Sequence, residues 1–125
     1  MRLNQVTMPA LDVAASVAFY RTMGFELIVS AAHYARFKAV DGDATFSVHL
    51  VASLAAASAT VVYFETPTLD ETVTRLKARG LKFLEDPADK PWLWREARLA
   101  DPSGNVICLY WAGENRLNPP WRVKP

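Results

Sequence analysis

The sequence of 125 residues predicts an α+β fold made of two βαβββ modules. The main observation is an internal repeat, in which Val6 aligns with Val62 and Gly24 with Gly80, an offset of 56 residues (62 − 6). In both halves the apolar residues first follow a strand and then change to the spacing of a helix. Turn residues then separate three further apolar segments in each half. The order of elements in each half is therefore strand, helix and three strands.

The first module, residues 1–51, is predicted to begin with a strand at residues 3–8. Asp12 is expected to cap a helix in which Val13, Val17 and Tyr20 form one apolar stripe. Gly24 is expected to end this helix, because glycine adopts the left-handed conformation easily. Three strands follow at residues 25–30, 33–39 and 44–51, with a tight turn at 41–43 before the last.

The second module, residues 59–111, repeats this order with a strand at residues 60–65. A capping box from Thr68 to Glu71 is predicted to start its helix, and Gly80 to end it. Strands are predicted at residues 81–84, 94–100 and 105–111, with a Pro-Gly turn at 101–105. Residues 52–58 are interpreted as a linker and residues 112–125 as an extended tail. The whole chain, 1–125, is expected to form a single domain.

Composition excludes several classes of protein. The net charge is +1 and no basic residues cluster, so nucleic-acid binding is not expected. A single cysteine allows neither an intramolecular disulfide nor a thiolate metal cluster. No apolar stretch is long enough to span a membrane, and the first residues do not follow a signal-peptide pattern. We therefore expect a cytoplasmic protein.

Two local stretches carry a resemblance to a known family. The first comprises residues 3–7, Asp12, the Phe19-Tyr20 pair and Gly24, and the second is the Asp-Pro-Ser-Gly-Asn turn at 101–105. Together they resemble the vicinal-oxygen-chelate superfamily of glyoxalases, bleomycin-resistance proteins and extradiol dioxygenases. The resemblance covers residues 3–111. It implies a curved, barrel-like mixed sheet of eight strands with the helices outside, a small-molecule ligand and a homodimer.

Metal-using members of this superfamily take four ligands from the first and last strand of each module. The corresponding positions here are Gln5, Ser47, Val61 and Cys108. Gln5 fits the family pattern, but Ser47, Val61 and Cys108 are not typical metal ligands. Valine has no donor atom, and divalent metals prefer imidazole, carboxylate or thiolate to a serine hydroxyl. A cysteine within an apolar strand is more often a small buried apolar residue than a reactive thiol. The divalent metal site that the resemblance implies is therefore expected to be absent or rebuilt. Gln5, His49 and Glu96 remain as candidate ligands for a rebuilt site.

Side chains alternate along a strand, so these four positions predict which other residues share their faces. Two modules of this kind can bring such faces together and enclose a cavity for a ligand. The predicted lining is unusually polar for inward strand positions. It consists of Gln5, Thr7, Ser47, His49, Tyr63, Glu65, Cys108 and Tyr110.

Each prominent side chain has a functional and a structural interpretation. An imidazole such as His49 can act as base, acid or ligand near neutral pH, or serve as a hydrogen-bonded structural residue. Glu65 and Glu96 are either catalytic carboxylates or, respectively, a solvated strand end and a surface ion pair. His33 either lines the site or lies at the edge of a loop.

The segment that contains Trp92 and Trp94 also has two interpretations. Two tryptophans so close together in an irregular segment can form a lid over an apolar or aromatic ligand. They can equally form a hydrophobic contact within the chain or with a partner subunit.

Two functions follow from these observations. In the first, favoured by the superfamily's many enzymes, His49 with Glu65 or Glu96 transfers a proton or holds a non-standard metal, and Gln5 and Tyr63 orient the substrate. The reaction would be that of a lyase, isomerase or dioxygenase. In the second, the chain is a metal-free protein of the bleomycin-resistance type that sequesters a small molecule. Its ligand would stack on tryptophans and tyrosines, and the missing metal ligands favour this alternative.

Overall fold

The computed structural model describes residues 1–54 and 59–125. Along the chain, the elements follow the order βαβββ twice, and a short 3-10 helix at Gly113–Arg116 comes last. The predicted α+β class and the two βαβββ modules are confirmed. The elements are β1 (Gln5–Ala10), α1 (Val13–Thr22), β2 (Glu26–Ala31), β3 (Tyr34–Lys38), β4 (Thr45–Leu50), β5 (Val61–Glu65), α2 (Leu69–Ala78), β6 (Glu85–Asp89), β7 (Arg95–Ala100) and β8 (Val106–Trp111).

The chain divides into two compact units. Unit 1 contains Met1–Ala59 together with Asp101–Asn105, and unit 2 contains Thr60–Ala100 together with Val106–Pro125. Each unit has one four-stranded mixed sheet, with strand order β1-β4-β3-β2 in unit 1 and β5-β8-β7-β6 in unit 2. In both sheets the first and last strands of the module pair in parallel, and the other pairs are antiparallel.

The repeat extends to the register of the strands. In unit 1 Thr7 lies opposite Ser47, and in unit 2 Tyr63 lies opposite Cys108. The first strands of the two modules are offset by 56 residues (63 − 7), and the last strands by 61 residues (108 − 47). With these offsets, Thr7 corresponds to Tyr63 and Ser47 to Cys108, and each pair is formed in its own sheet. The two modules therefore present corresponding positions on corresponding faces of their sheets.

The helix starts match the sequence at one of the two predicted caps. Asp12 Oδ1 accepts a hydrogen bond from the Ala15 N–H at 3.0 Å, as predicted for α1. The capping box predicted for α2 is wrong, because the Thr68 side chain caps no N–H group of the helix. Its hydroxyl instead lies 3.2 Å from the Thr66 hydroxyl and 3.3 Å from that of Thr72.

The strand predicted at residues 81–84 is also misplaced. The sheet strand is β6, which begins at Glu85, and Leu84 only leads into it through its N–H bond to the Arg98 carbonyl at 2.7 Å. β6 contains Pro87 and shifts register between Glu85 and Ala88. Proline has no N–H group, but it is tolerated at a bulge in an edge strand. The segment Glu85–Asp89 therefore forms a strand although its residues are typical of a turn.

Each helix covers one face of its own sheet with apolar side chains. In unit 1 the rings of Tyr20 and Phe37 both pack on Phe46, with centroids 5.0 Å apart in each case. In unit 2 Leu76 and Leu99 are fully or almost fully buried. Since side chains alternate along a strand, the polar residues of these strands lie on the opposite face, away from the helix.

The turn at Asp101–Asn105 packs within unit 1 through a buried carboxylate. Asp101 is 5% exposed, and its Oδ2 accepts a hydrogen bond from the Tyr20 hydroxyl at 2.7 Å. Its oxygens also accept from the N–H groups of Ser103 and Asn105, each at 2.9 Å, and from Asn105 Nδ2 at 2.8 Å. Burial, reinforced by the Asp101 charge, raises the pKa of Tyr20 above its ordinary range. The two stretches that carry the family resemblance therefore meet at this contact.

The linker predicted at residues 52–58 lies partly outside the described residues. The tail, predicted to be extended, begins with the 3-10 helix. Among the described residues, no helix is both long and apolar enough to cross a membrane.

Candidate functional site

The face of the unit 1 sheet opposite α1 carries hydrogen-bonded polar side chains from β1 and β4. Ser47 is fully buried, and its hydroxyl accepts from Gln5 Nε2 at 2.9 Å and lies 2.8 Å from the Thr7 hydroxyl. The Thr45 hydroxyl donates to Gln5 Oε1. Three residues predicted to bind a ligand, Gln5, Thr7 and Ser47, are thus brought together. Both ends of the Gln5 amide already have protein partners.

His49 lies further along the same face, near the end of β4. It faces Tyr34 in the antiparallel pair, with ring centroids 6.4 Å apart, and its ring lies 6.0 Å from that of His33. Both histidines are exposed, and His33 lies in the turn between β2 and β3. Their predicted roles in a site stay predictions.

The sequence interpretation missed two residues of this face, Tyr34 and Arg36 on β3. Arg36 lies opposite Ser47, and its Nε donates to the Tyr34 hydroxyl at 3.0 Å. The Ser47 hydroxyl and the Arg36 guanidinium lower the pKa of Tyr34 from its ordinary range. The alternation argument that placed the other residues would also have found this pair, because Tyr34 and Arg36 are two positions apart on one strand.

In unit 2 the face opposite α2 carries three packed rings, which we call the aromatic cluster: Tyr63, Trp94 and Tyr110. Trp94 and Tyr110 stack with centroids 4.7 Å apart and an interplanar angle of 19°. Tyr63 meets both edge-on, at 6.0 Å from Trp94 and 5.5 Å from Tyr110. Tyr110 is buried, which raises its pKa, whereas Tyr63 is 42% exposed. In the aromatic cluster, Tyr110 is therefore buried, whereas the Tyr63 ring is exposed.

Glu96 is the buried carboxylate of this face. It is 1% exposed, and its Oε2 accepts a hydrogen bond from Trp92 Nε1 at 2.5 Å. Its Oε1 accepts from Arg98 Nη2 at 3.3 Å, and the same nitrogen donates to the Tyr63 hydroxyl at 3.2 Å. Of the two interpretations of Glu96, the structure excludes a surface ion pair. In the sequence Glu96 lies two residues before Arg98, but this spacing does not predict the chain of hydrogen bonds.

Glu65 lies at the end of β5, near the start of the C-terminal tail. Its Oε2 accepts from the Ala112 N–H at 3.3 Å, and its Oε1 lies 3.7 Å from Arg116 Nε. Glu65 is exposed. Its carboxylate therefore ties the 3-10 helix to β5, and its catalytic role stays a prediction.

The side chains at the four family positions do not fit a divalent metal. Ser47 is already hydrogen-bonded, and Val61 offers no donor. Burial raises the pKa of Cys108 to about 12, which makes the thiolate that a metal would bind harder to form. Within residues 1–54 and 59–125, no group of three or more His, Cys, Asp or Glu side chains has the geometry to hold a metal ion. The candidate set of Gln5, His49 and Glu96 includes a glutamine, which lies outside that group of residue types, so its role in a rebuilt site stays a prediction.

Comparisons with known proteins agree with this fold. A family model for the Glyoxalase/Bleomycin resistance protein/Dioxygenase superfamily matches residues 2–109. A comparison with curated proteins finds no match. A solved glyoxalase/bleomycin resistance protein/dioxygenase from Nocardioides is 25% identical, with 99% of this chain and 90% of that chain covered and a TM-score of 0.77.

Two further solved structures share the fold at lower identity. A bleomycin-binding protein complexed with bleomycin is 20% identical, with 89% of this chain and 98% of that chain covered and a TM-score of 0.74. Lactoylglutathione lyase from Agrobacterium tumefaciens is 20% identical, with 88% and 92% covered and a TM-score of 0.74. Because the family model spans most of the chain, this protein belongs to the glyoxalase/bleomycin resistance protein/dioxygenase superfamily.

Proposed function

We propose that this protein binds a small planar organic molecule without a metal, on the face of the unit 2 sheet that carries the aromatic cluster. The observation that carries the proposal is the chain of hydrogen bonds around Glu96. One buried carboxylate fixes Trp92 directly and Tyr63 through Arg98. Both rings are about half exposed, at 45% and 42%.

Fixed aromatic rings favour binding because less conformational freedom is lost when the ligand arrives. The Tyr63 ring is held by its hydrogen bond to Arg98, whose guanidinium carbon lies 6.0 Å from the ring centroid. A planar ligand can stack on such a ring or meet it edge-on, as Tyr63 itself meets Trp94 and Tyr110. The bleomycin-binding neighbour supports the proposal only in that a protein of this fold holds a small organic molecule.

The test is a panel of neutral planar aromatic fragments, each paired with its saturated analogue. Binding is detected by saturation-transfer NMR and measured by calorimetry, with and without a chelator. Tyr63→Leu and Trp92→Leu are expected to weaken binding roughly two- to tenfold each, the worth of one aromatic contact. Trp121→Leu is the matched control, because Trp121 lies in the tail and is 58% exposed.

Three outcomes would contradict the proposal. They are saturated analogues that bind as well as the aromatic fragments, equal effects of Trp121→Leu and Tyr63→Leu, and binding that the chelator abolishes.

An enzymatic function is the second candidate, and the exposed His49 beside Tyr34 is the observation that favours it. An accessible imidazole can accept or donate a proton near neutral pH. The test is the metal content after purification without chelators, compared between His49→Ala and His33→Ala. Stoichiometric metal lost only from His49→Ala would favour a metal enzyme over the metal-free binding protein. If the purified protein retains no metal and binds no added divalent ion, the hypothesis of a metal-dependent enzyme is contradicted.

We also propose that the protein acts as a homodimer, as the sequence resemblance implies, and in the cytoplasm, as its composition leads us to expect. Light scattering on the purified protein measures the mass directly. A monomeric mass at micromolar concentration would contradict the dimer.

A further inference from the structure

Arg36 is a half-buried cation with no acidic partner among the described residues. The arginines of β7 differ in this respect. Arg95 pairs with Asp70 at 3.0 Å, and Arg98 pairs with Glu96 at 3.3 Å. A partly desolvated guanidinium is stabilised by an anion, and its planar set of N–H donors matches a carboxylate. The missing partner therefore points to an anion that the chain itself does not supply.

The orientation of Arg36 is fixed by the protein. Its Nε donates to the Tyr34 hydroxyl at 3.0 Å, and its guanidinium carbon lies 5.5 Å from the Tyr34 ring centroid. Within residues 1–54 and 59–125, no hydrogen bond or ion pair engages its two Nη atoms. These atoms are the donors that a ligand oxygen would meet.

Two further groups with N–H donors, His49 and Lys38, lie on the same face as Arg36. His49 stands opposite Tyr34, and Ser47 stands opposite Arg36. Lys38 is the next residue on the same side of β3, and its Nζ donates to the Ala39 carbonyl at 3.2 Å. Glu26 faces Lys38 in the sheet, yet within the described chain it forms no ion pair with Lys38 or Arg36.

We propose that Arg36, with Tyr34 and His49, binds the carboxylate group of a small-molecule ligand. All three residues belong to unit 1, so the proposal does not depend on the aromatic cluster of unit 2. It assigns an acidic class of ligand to a protein whose overall charge of +1 indicates none.

The experiment uses cyclohexanecarboxylate and its neutral amide, cyclohexanecarboxamide. Neither has an aromatic ring, so failure of the aromatic site and failure of this site can be told apart. The full chain, labelled with ¹⁵N, is titrated while the side-chain Nε–H signal of Arg36 is followed. We expect the carboxylate to shift this signal and the backbone signals of β3 and β4 saturably. The amide should leave them unchanged.

Three variants test the assignment. Arg36→Gln should weaken carboxylate binding roughly tenfold or more, as expected for a charge-assisted hydrogen bond. Arg36→Lys should recover only part of the affinity, because lysine keeps the charge but lacks the planar donors. Arg21→Gln removes the same charge from an exposed position in the last turn of α1 and should not change the affinity.

Several results would overturn the proposal. They are equal binding of carboxylate and amide, equal weakening by Arg21→Gln and Arg36→Gln, and carboxylate binding that leaves the Arg36 Nε–H signal unmoved. The last result is read on the unmodified protein. It therefore decides the question even where Arg36→Gln does not fold.

Discussion

Replacing Tyr20 with phenylalanine removes one hydroxyl and keeps the ring that packs against Phe46. The hydroxyl donates to a carboxylate that is 5% exposed, at 2.7 Å. Asp101 accepts all four of the hydrogen bonds described for its side chain, so it acts only as an acceptor, as a carboxylate does. A hydrogen bond to a charged group is worth about 1.5–3 kcal/mol. We therefore expect Tyr20→Phe to lower the free energy of unfolding by about 2 kcal/mol, within that range.

Urea denaturation followed by far-UV circular dichroism measures this loss, because the dichroism follows the secondary structure of both units. The four tryptophans, at positions 92, 94, 111 and 121, all lie in unit 2. Tryptophan fluorescence therefore gives a second curve for unit 2. Tyr110→Phe is the matched control, since Tyr110 is also buried but its hydroxyl has no hydrogen bond among the described residues. The control should cost clearly less than Tyr20→Phe, because it removes no hydrogen bond to a charged group.

The reasoning is refuted if Tyr20→Phe and Tyr110→Phe are equally stable. That result would mean that water or a rearranged turn replaces the hydroxyl at no cost. A larger loss in Asp101→Ala would not rescue the argument, because that change leaves several N–H donors without partners at once.

Two further predictions concern Cys108 and Leu93. Burial first, and then the Glu96 charge, raise the pKa of Cys108 from 9.0 to about 12, so the unfolded thiol loses its proton first as the pH rises. Stability should therefore fall between these pH values and fall less in Cys108→Ala, as measured by urea midpoints; parallel curves would contradict this. Leu93 has a φ of 67°, a left-handed conformation that costs leucine more than glycine. Leu93→Gly should stabilise the chain by up to about 1 kcal/mol in the same assay, and a loss of that size would show that the leucine side chain matters instead.

The sequence predicts those elements whose signals are local. Asp12 and the stripe ending at Tyr20 define α1, because a cap and a helical stripe depend only on near neighbours. β6 could not be predicted in this way. Its residues resemble a turn, and only pairing with β7 makes them a strand, since an edge position tolerates Pro87.

The same limit applies to the candidate site. Alternation along strands correctly grouped Gln5, Thr7 and Ser47, because a shared face follows from backbone geometry alone. The bond between Trp92 and Glu96 depends on where an irregular segment turns, and spacing does not specify that. Arg36 was missed for another reason. Its strand, β3, carries none of the four family positions, so those positions do not predict which β3 side chains share their face.

The division between fold and function in this protein has a physical basis. Tyr20 and Asp101, which belong to the stretches that carry the family resemblance, meet in a buried hydrogen bond and thus act on folding. Arg36 and Tyr63 lie on sheet faces away from the helices, where the proposed ligand sites are and where a change of residue leaves the helix-packed core in place. Variants of Arg36 and Tyr63 test what this protein recognises, whereas a variant of Tyr20 tests only whether it folds.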